Sequence, residues 1–248
     1  AEDGEMLREQ KLKNFAAHHN LCLLNVEDIA MYRQQILGHE WDAEAERESR
    51  FAGISLQAET QVALPSNLGH FQACAVEDAR DIGAEHLLIW KGLRDRQENP
   101  LLRIHSECFT GEVLFSQRCD CRAQLDFALE HIEAEGQGLL IYLCQEGRGI
   151  GLRNKLRAYN IQQQQNLDTV EANTALGFAD DLREYSVAVG VLRSLKIRKV
   201  RLLTNNPHKV RALETAGIEV ERVPINVGGN PHNQDYLATK KNKSGHLL

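Results

Sequence analysis

The sequence lacks a long hydrophobic run, lacks an excess of basic charge, and has too few cysteines to staple a fold. No apolar stretch approaches the roughly 20 residues needed to cross a bilayer, so no membrane partner is expected. The formal net charge is −6. No global positive field draws in nucleic acid or anionic lipid, so nucleic acid is not an expected partner, and an anionic substrate would need a local basic pocket. Six cysteines in 248 residues are too few for a disulfide scaffold. Their clustering favours metal over bridges and fits a reducing compartment. The start, AEDGEMLREQKLKNF, is charged and has no apolar centre, so no signal peptide is expected there. The expected location is the cytoplasm, or an organelle after removal of a transit peptide. There is no internal repeat, and the glutamine tract at 162–165 carries no compositional message. What is present is ordinary for a globular chain: 42% apolar and 26% charged residues, enough for one large domain or two modest ones with a buried core.

Patterning predicts a short helix over residues 5–18, a brief strand at Leu21–Leu24, and a second helix from Val26 to about Leu37 that Asn25 can cap. Residues 38–58 are polar and acid-rich and read as a linker, which divides the chain into domains at 1–58 and 59–248. From Glu59 the pattern turns to strands, TQVAL, HFQACAV and HLLIWKG, broken by Pro65-Ser66-Asn67. Leu101–His105 leads into the cysteine segment. Arg122–Glu135 carries Leu125, Ala128, Leu129 and Ile132 at helical spacing, ended by Gly136 and Gly138. Leu139–Leu143 is an apolar run of strand length. The loop QEGRGIGL follows, then a helix from about Arg153 to Gln163 and an amphipathic helix over Glu184–Leu195. A strand at Lys199–Leu203 precedes a helix capped by Asn206, with Pro207 first and Gly217 closing it. Ile218–Val223 is the last strand. The expected fold class is α/β in the mixed α+β sense, a strand-rich first part followed by alternating strands and helices.

Cys108, Cys119 and Cys121 stand out in RIHSECFTGEVLFSQRCDCRAQL. Two flank a single residue, and the third is expected one short hairpin upstream. Three reduced core cysteines are the bland alternative. Arg118, Asp120 and Arg122 are poor company for a core, so metal is favoured. A structural zinc takes four protein ligands, and no nearby His or Cys completes this set. The spacing therefore points to a catalytic zinc with an open fourth position. Zinc lowers the pKa of water at such a position to about 7, so hydrolysis at neutral pH is expected. Cys22 and Cys74 sit inside apolar strands and read as core. Cys144, just before QEGR, is ambiguous.

Gln145 to Gly151 lies between a strand and a helix. Glycine allows close backbone approach, and helix N-termini attract anions. The Lys-Ser/Thr ending of a P-loop is absent, and a plain tight turn would explain the run. Arg148, Arg153, Lys155 and Arg157 nearby favour an anion. At Thr204–Lys209 a strand ends, Asn206 caps, and Lys209 falls in the first helical turn, where a cation opposes the helix dipole. A docked anion explains Lys209; a solvated lysine on an ordinary capped helix explains it equally. Asp181-Leu182-Arg183, read alone, is an exposed ion pair of little energetic worth.

Taken in order, RIHSEC, FSQRCDC, QEGRGIGL, NKLRAY, DTVEAN, GFADDLREY, RLLTNNPHKV, ERVP and the closing GHLL resemble GTP cyclohydrolase II, the enzyme that opens riboflavin synthesis. The resemblance runs from about Ala63 to Leu248. Ahead of it, EDGEMLREQKLKNFAAHHNLCLLNVEDIAMYRQQ resembles the tail of 3,4-dihydroxy-2-butanone 4-phosphate synthase, often fused ahead of the cyclohydrolase. That enzyme's catalytic portion is missing, so no synthase activity is expected; the chain is the trimmed half of a fusion or a paralogue that lost the rest. The resemblance implies that Cys108, Cys119 and Cys121 hold one zinc per chain. It implies GTP contacts from Arg103, Ile104, His105, Ser106 and Glu107, and from Gln124, Glu146, Gly147, Arg148, Thr169, Thr204 and Lys209. Asp181 and Arg183 fall on the family's proton acceptor and nucleophile, and Tyr159 on its active-site tyrosine. A homodimer and magnesium with the triphosphate are implied too. The implied products are formate, pyrophosphate and 2,5-diamino-6-ribosylamino-pyrimidinone 5'-phosphate. Glu146 or Gln145 can then read the guanine edge, since a carboxylate accepts from N1–H and the 2-amino group.

Two departures accompany the match. Cys144 stands where the family commonly has Arg, and the segment from Tyr159 to Asp168 is one residue longer. They keep open a divergent cyclohydrolase that stops at a formamide or takes another nucleotide. A non-catalytic, zinc-stabilised binding module is the other alternative, opposed by the acidic balance and the lack of a basic stripe with stacking aromatics.

Overall fold

The computed structural model describes residues 9–19, 23, 51, 53–81, 83–93, 98–165, 167–243 and 245–247. The chain divides into two compact units, Ala1–Ser49 and Arg50–Leu248. In the first, α1 (Glu9–His18) falls within the expected helix. The helix expected from Val26 lies outside the described residues, as does the strand at Leu21–Leu24 apart from Leu23. Among the described residues no helix is long and apolar enough to cross a membrane.

In the second unit the strands are β1 (Ile54–Leu56), β2 (Val62–Ser66), β3 (Gly69–Asp78), β4 (Glu85–Lys91), β5 (Leu101–Ser106), β6 (Gly138–Leu143), β7 (Lys199–Leu203) and β8 (Glu219–Val223). Helices α2 (Phe109–Glu112) and α3 (Cys121–Glu135) join β5 to β6. Helices α4 (Gly151–Gln165), α5 (Thr169–Ala175) and α6 (Ser186–Ser194) join β6 to β7. Helix α7 (Pro207–Thr215) joins β7 to β8, and α8 (Gln234–Asn242) follows β8. The strands form one mixed sheet in the order β1-β3-β4-β6-β5-β7-β8, with β2 also on β3. Pairing is antiparallel from β1 to β6 along that path and parallel among β6, β5, β7 and β8. The mixed α/β class read from the sequence is the one observed.

Strand alternation assigns the two faces. Leu102 and Ile104 of β5, with Leu139, Ile141 and Leu143 of β6, pack in one cluster with Val187, Val191 and Leu192 of α6 and Leu213 of α7. Leu101 and Leu140, of opposite parity, pack with Ala128 and Ile132 of α3. Strands covered on both faces carry unbroken apolar runs, as in LLIYL. Arg103 and His105 share the parity of Leu101 and so stand on the α3 side.

Three local expectations are corrected. Ile54-Ser55-Leu56, read as the end of a linker, forms β1. Ile54 packs against Gly190 of α6 so closely that a Cβ on that glycine would lie 2.7 Å from Ile54 Cδ1. Pro65 and Ser66 continue β2 instead of breaking it; among the described residues β2 pairs only with β3, and an edge strand tolerates proline. The segment between Cys108 and Cys119 begins with the helical turn α2, not a hairpin. Helices α5 and α8 are additions to the sequence reading. Asp168 starts α5 with a capping box, accepting from the Val170 and Glu171 N–H while Glu171 accepts from the Asp168 N–H.

Ile141 is fully buried at the centre of this core. Ile141→Ala is expected to lower the unfolding free energy by about 2–5 kcal/mol, read from the urea midpoint at unchanged slope.

Candidate active site

Parallel strands β6, β5 and β7 end along one edge of the sheet, and the chain leaving each lines a single cavity of about 450 Å³. Ligands of open α/β sheets bind at such carboxyl ends. Glu107 and Cys108 leave β5, Glu146 to Arg148 follow β6, and Thr204 to Asn206 follow β7, with Lys209 in the first turn of α7.

The three cysteine sulfurs lie within 4.8 Å of one another, with Cys108 and Cys119 Sγ 3.6 Å apart. Cys108 sits between β5 and α2, Cys119 precedes α3, and Cys121 opens it. Gly111 makes room: a Cβ there would stand 2.9 Å from the Cys119 sulfur and 3.2 Å from that of Cys108. Hydrogen bonds from Cys119 and Cys121 hold the Cys108 thiol far below its ordinary range. The same sharing with Cys108 lifts Cys119 to about 11 and Cys121 well above the usual thiol value. Crowded together, the three sulfurs resist losing all their protons. A divalent cation is the partner that lets all three ionise, so the donor set fits a soft metal. No fourth Cys, His, Asp or Glu joins the cluster among the described residues. Lys155, buried on α4, donates to Cys108 Sγ at 3.1 Å and to Glu146 Oε1 at 2.7 Å. Burial works against its charge, but Cys108, Tyr159 and Glu146 outweigh burial and hold it above the ordinary lysine range.

Behind the sulfurs lies a buried polar chain. Arg103 Nη2 donates to Gln124 Oε1 at 2.7 Å and lies 3.4 Å from His105 Nδ1. A guanidinium only donates, so Nδ1 accepts, and His105 Nε2 carries the hydrogen toward Glu112 Oε1 at 2.7 Å. The Tyr142 hydroxyl donates to Glu112 Oε2 at 2.7 Å. Burial holds His105 well below its usual value, so the contact is a neutral imidazole on a carboxyl group, not an ion pair. Burial also pushes Glu112 up to about 7.

The cavity carries buried positive charge. Burial lowers Arg103 to about 10, and its Nε has no hydrogen-bond partner among the described residues. Burial, reinforced by repulsion from Arg103, Arg183 and Lys240, lowers Lys209 well below the lysine range; its Nζ donates to the Ile104 carbonyl at 2.7 Å. Lys209 is 4% exposed, which removes the solvated alternative. Asp181 and Arg183 likewise are not an exposed pair. Their side chains are 22% and 14% exposed and are bridged by Nε–Oδ1 at 2.8 Å and Nη2–Oδ2 at 2.5 Å. Burial opposes charge on both, yet their mutual bonds hold Asp181 below and Arg183 above their ordinary values.

The QEGR turn is strained. Gly147 and Arg148 both take left-handed backbone, φ 63° and 61°. At Gly147 a Cβ would also meet Lys155 Cβ at 3.0 Å. Arg148 is held there by Nη1–Asp180 Oδ1 at 2.5 Å and by its carbonyl, which accepts from the Leu182 N–H. Glu146 is fully engaged, with Lys155 and the Gly147 N–H on Oε1 and the Phe109 N–H on Oε2. Gln145 bonds Ser106 and the Glu184 N–H. Glu107 makes no side-chain hydrogen bond among the described residues, and burial with the nearby Glu146 raises its pKa.

The cavity gathers Arg103, His105, Ser106, Glu107, Gln124, Glu146, Gly147, Arg148, Tyr159, Thr169, Arg183, Thr204 and Lys209 with the three cysteines. Ile104 turns into the core and contributes its carbonyl, and Asp181 stands against Arg183. Cys144 does not line the cavity; its thiol donates to the Glu85 carbonyl. The longer stretch after Tyr159 is mostly helix, with the glutamine tract closing α4. Sequence reasoning missed Glu112, Tyr236 and Lys240, and it took Lys155 only as one of several basic residues. Nothing in their local sequence marks them, because each reaches the site from another element.

Two outcomes are expected. Wild-type protein purified without chelators should hold metal at about one ion per chain, and Cys119→Ser should hold little, by elemental analysis. The second concerns Glu112 in metal-free protein. Its folded pKa is above the ordinary 4.5, so the cost of its buried charge is absent below about 4.5 and complete above about 7. Relative to Glu112→Gln, the wild type should lose on the order of 2 kcal/mol of stability as pH rises through that window, read from urea midpoints at about pH 5 and 8.

Comparison with known proteins identifies the family. The family model for GTP cyclohydrolase II matches residues 57–224. The riboflavin biosynthesis protein RibBA of Bacillus subtilis (strain 168) is 44% identical over 249 aligned residues, covering 100% of this chain and 58% of the relative. A riboflavin biosynthesis protein of Vibrio vulnificus (strain YJ016) is 55% identical over 187 residues, 75% of this chain and 50% of the relative. The chain thus spans between half and three fifths of the length of these curated relatives, and the part resembling the butanone phosphate synthase is present only in part. The chain belongs to the GTP cyclohydrolase II family.

Proposed function

We propose that the chain hydrolyses GTP, opening the guanine five-membered ring with loss of formate and cleaving off pyrophosphate, to leave 2,5-diamino-6-ribosylamino-pyrimidinone 5'-phosphate for riboflavin synthesis. The observation that carries this reading is the pair of buried basic side chains Arg103 and Lys209 beside a three-sulfur cluster in one cavity of a chain whose net charge is −6. Burying Arg103 and Lys209 without anions is costly, and a triphosphate relieves that cost.

Cys108, Cys119 and Cys121 would hold zinc, one ion per chain. Bound there, zinc supplies Lewis-acid chemistry for hydrolysis at neutral pH. Arg103, Arg148, Arg183 and Lys209 take the phosphate side, where magnesium accompanies the triphosphate. Arrival of phosphate beside Lys209 favours its charged form and restores the proton that burial disfavours. Gln124 keeps the Arg103 guanidinium oriented. Ser106, Thr169 and Thr204 offer hydroxyls, and Gly147 lets the backbone approach the ligand.

For the guanine edge we assign Glu107 in place of the engaged Glu146 or Gln145. A carboxylate without internal partners is free to accept from N1–H and the 2-amino group. Glu146 then serves by seating Lys155 and the start of α2. Tyr159 stacks under the Arg118 guanidinium, 4.3 Å from its ring centre, and presents its hydroxyl as a proton donor. Asp181 is the proton acceptor of the pair with Arg183. Their doubled bond favours Arg183 as a fixed charge on phosphate over Arg183 as nucleophile, since guanidinium stays protonated. The protein acts as a homodimer in this reading, supported by the exposed apolar run Val113, Leu114 and Phe115.

Incubation with GTP and magnesium, followed by mass spectrometry, tests the proposal. Formate, pyrophosphate and the diaminopyrimidine are expected; full metal loading without these products rejects it. Glu107→Gln is expected to raise KM for GTP about 10- to 100-fold, in line with a lost hydrogen bond to a charged group. It should affect inosine triphosphate, which lacks the 2-amino group, less.

A further inference from the structure

Helix α8 lies beyond the family-matched residues 57–224, yet it meets the site at several points. Asp235, Tyr236, Thr239 and Lys240 line the cavity, as does His246 beyond the helix. Lys240 Nζ donates to Asp120 Oδ1 at 2.6 Å, with the side chains 10% and 2% exposed. Asp120 is the residue between Cys119 and Cys121. It occupies the N-cap of α3, where a carboxylate ordinarily accepts from helix N–H groups. Here it makes no such bond. Its second oxygen instead accepts from Gln124 Nε2 at 2.5 Å, and Gln124 Oε1 accepts from Arg103. A buried chain therefore runs from α8 through Asp120 and Gln124 to Arg103. Two further ties hold the segment to the cavity rim. Lys243 bridges Asp168 and Glu171 at the start of α5, and the Leu247 N–H donates to the Asn205 carbonyl at 2.9 Å.

We propose that α8 forms a wall of the cavity and that Lys240 is a positioning residue, fixing Asp120 and thereby the two cysteines that flank it. The inference rests on the reading of the cysteine trio as a metal site. Lys240 touches no sulfur. It acts by diverting the Asp120 carboxylate away from capping, which sets where Cys119 and Cys121 stand relative to Cys108. Partners that bond a ligand directly typically change metal affinity by about 10- to 100-fold, and Lys240, one residue further out, is expected at about the lower end.

The test uses the full chain with cobalt(II) in place of zinc. Thiolate-to-cobalt charge transfer and ligand-field bands report the geometry of the sulfurs. Backbone hydrogen exchange over residues 119–124 reports the turn itself and needs no metal. Lys240→Met should shift the cobalt bands, lose metal to a chelator roughly tenfold faster or more, and speed exchange at 119–124. Lys240→Arg should restore most of each. Lys243→Met, which removes only the tie to α5, should leave all three as in the wild type. Lys240→Gln provides a milder variant if the methionine does not fold, with the same direction expected. Wild-type bands and exchange in folded Lys240→Met or Lys240→Gln would overturn the proposal, and so would equal effects in Lys243→Met, which would indicate general loosening. If the wild type takes up no cobalt, the metal reading falls, and exchange at 119–124 alone decides for or against the tie.

Discussion

Everything at this site follows from holding three sulfur atoms from two separate segments within 4.8 Å. One comes off the end of β5, the others from the turn that starts α3. Thiols so placed cannot all lose their protons unaided. The fold answers with small residues and cations: Gly111 clears space, and Lys155 brings a positive charge onto Cys108. The parallel strands beneath are rigid because apolar layers cover both faces. Strand geometry thus carries the position of Cys108 from the core to the cavity.

The same strand end sets the charge pattern. Along β5, alternate residues face opposite sides, so Leu101 anchors the α3 side of the sheet while Arg103 and His105 extend that side toward the cavity. Arg103 is thereby buried at the point where a helix-borne Gln124 can hold it. Lys209 approaches from α7 and ends on the carbonyl of Ile104. Two basic side chains of different elements converge on one strand. Neither has a carboxylate to itself, whereas Arg183 does and keeps its charge firmly. The cavity therefore combines basic side chains already paired with carboxylates, such as Arg183, Arg148 and Lys155, with others that gain from a bound anion.

Features written in local sequence were legible. The Cys-x-Cys spacing, the Asn206 cap with Pro207, and the apolar runs of β5, β6 and β7 each rest on neighbours a few residues apart, and each has its counterpart in the structure. Features that depend on distant packing were not. Asp181 and Arg183 looked exposed because two charged residues close in sequence usually are. Ile54 looked like linker because its partner, Gly190, is far along the chain. Glu112 sits in a stretch without a strong period, and its role comes from His105 and Tyr142 on adjacent strands. Lys240 was silent for the same reason, since its partner lies 120 residues earlier. Glu146 is the intermediate case: its motif was legible and it lines the cavity, but the internal partners of both its oxygens come from distant residues.

The sheet changes from antiparallel to parallel pairing midway, and that sets how far its first strand lies from the cavity. In the strand order, β1 stands four positions from β5. At about 4.8 Å per step, this puts the first strand roughly 19 Å from the one that bears Arg103. The covalent entry into the sheet thus lies on its antiparallel rim, remote from the chemistry. Along the sheet, a change on that rim reaches Arg103 through three intervening strands, β3, β4 and β6.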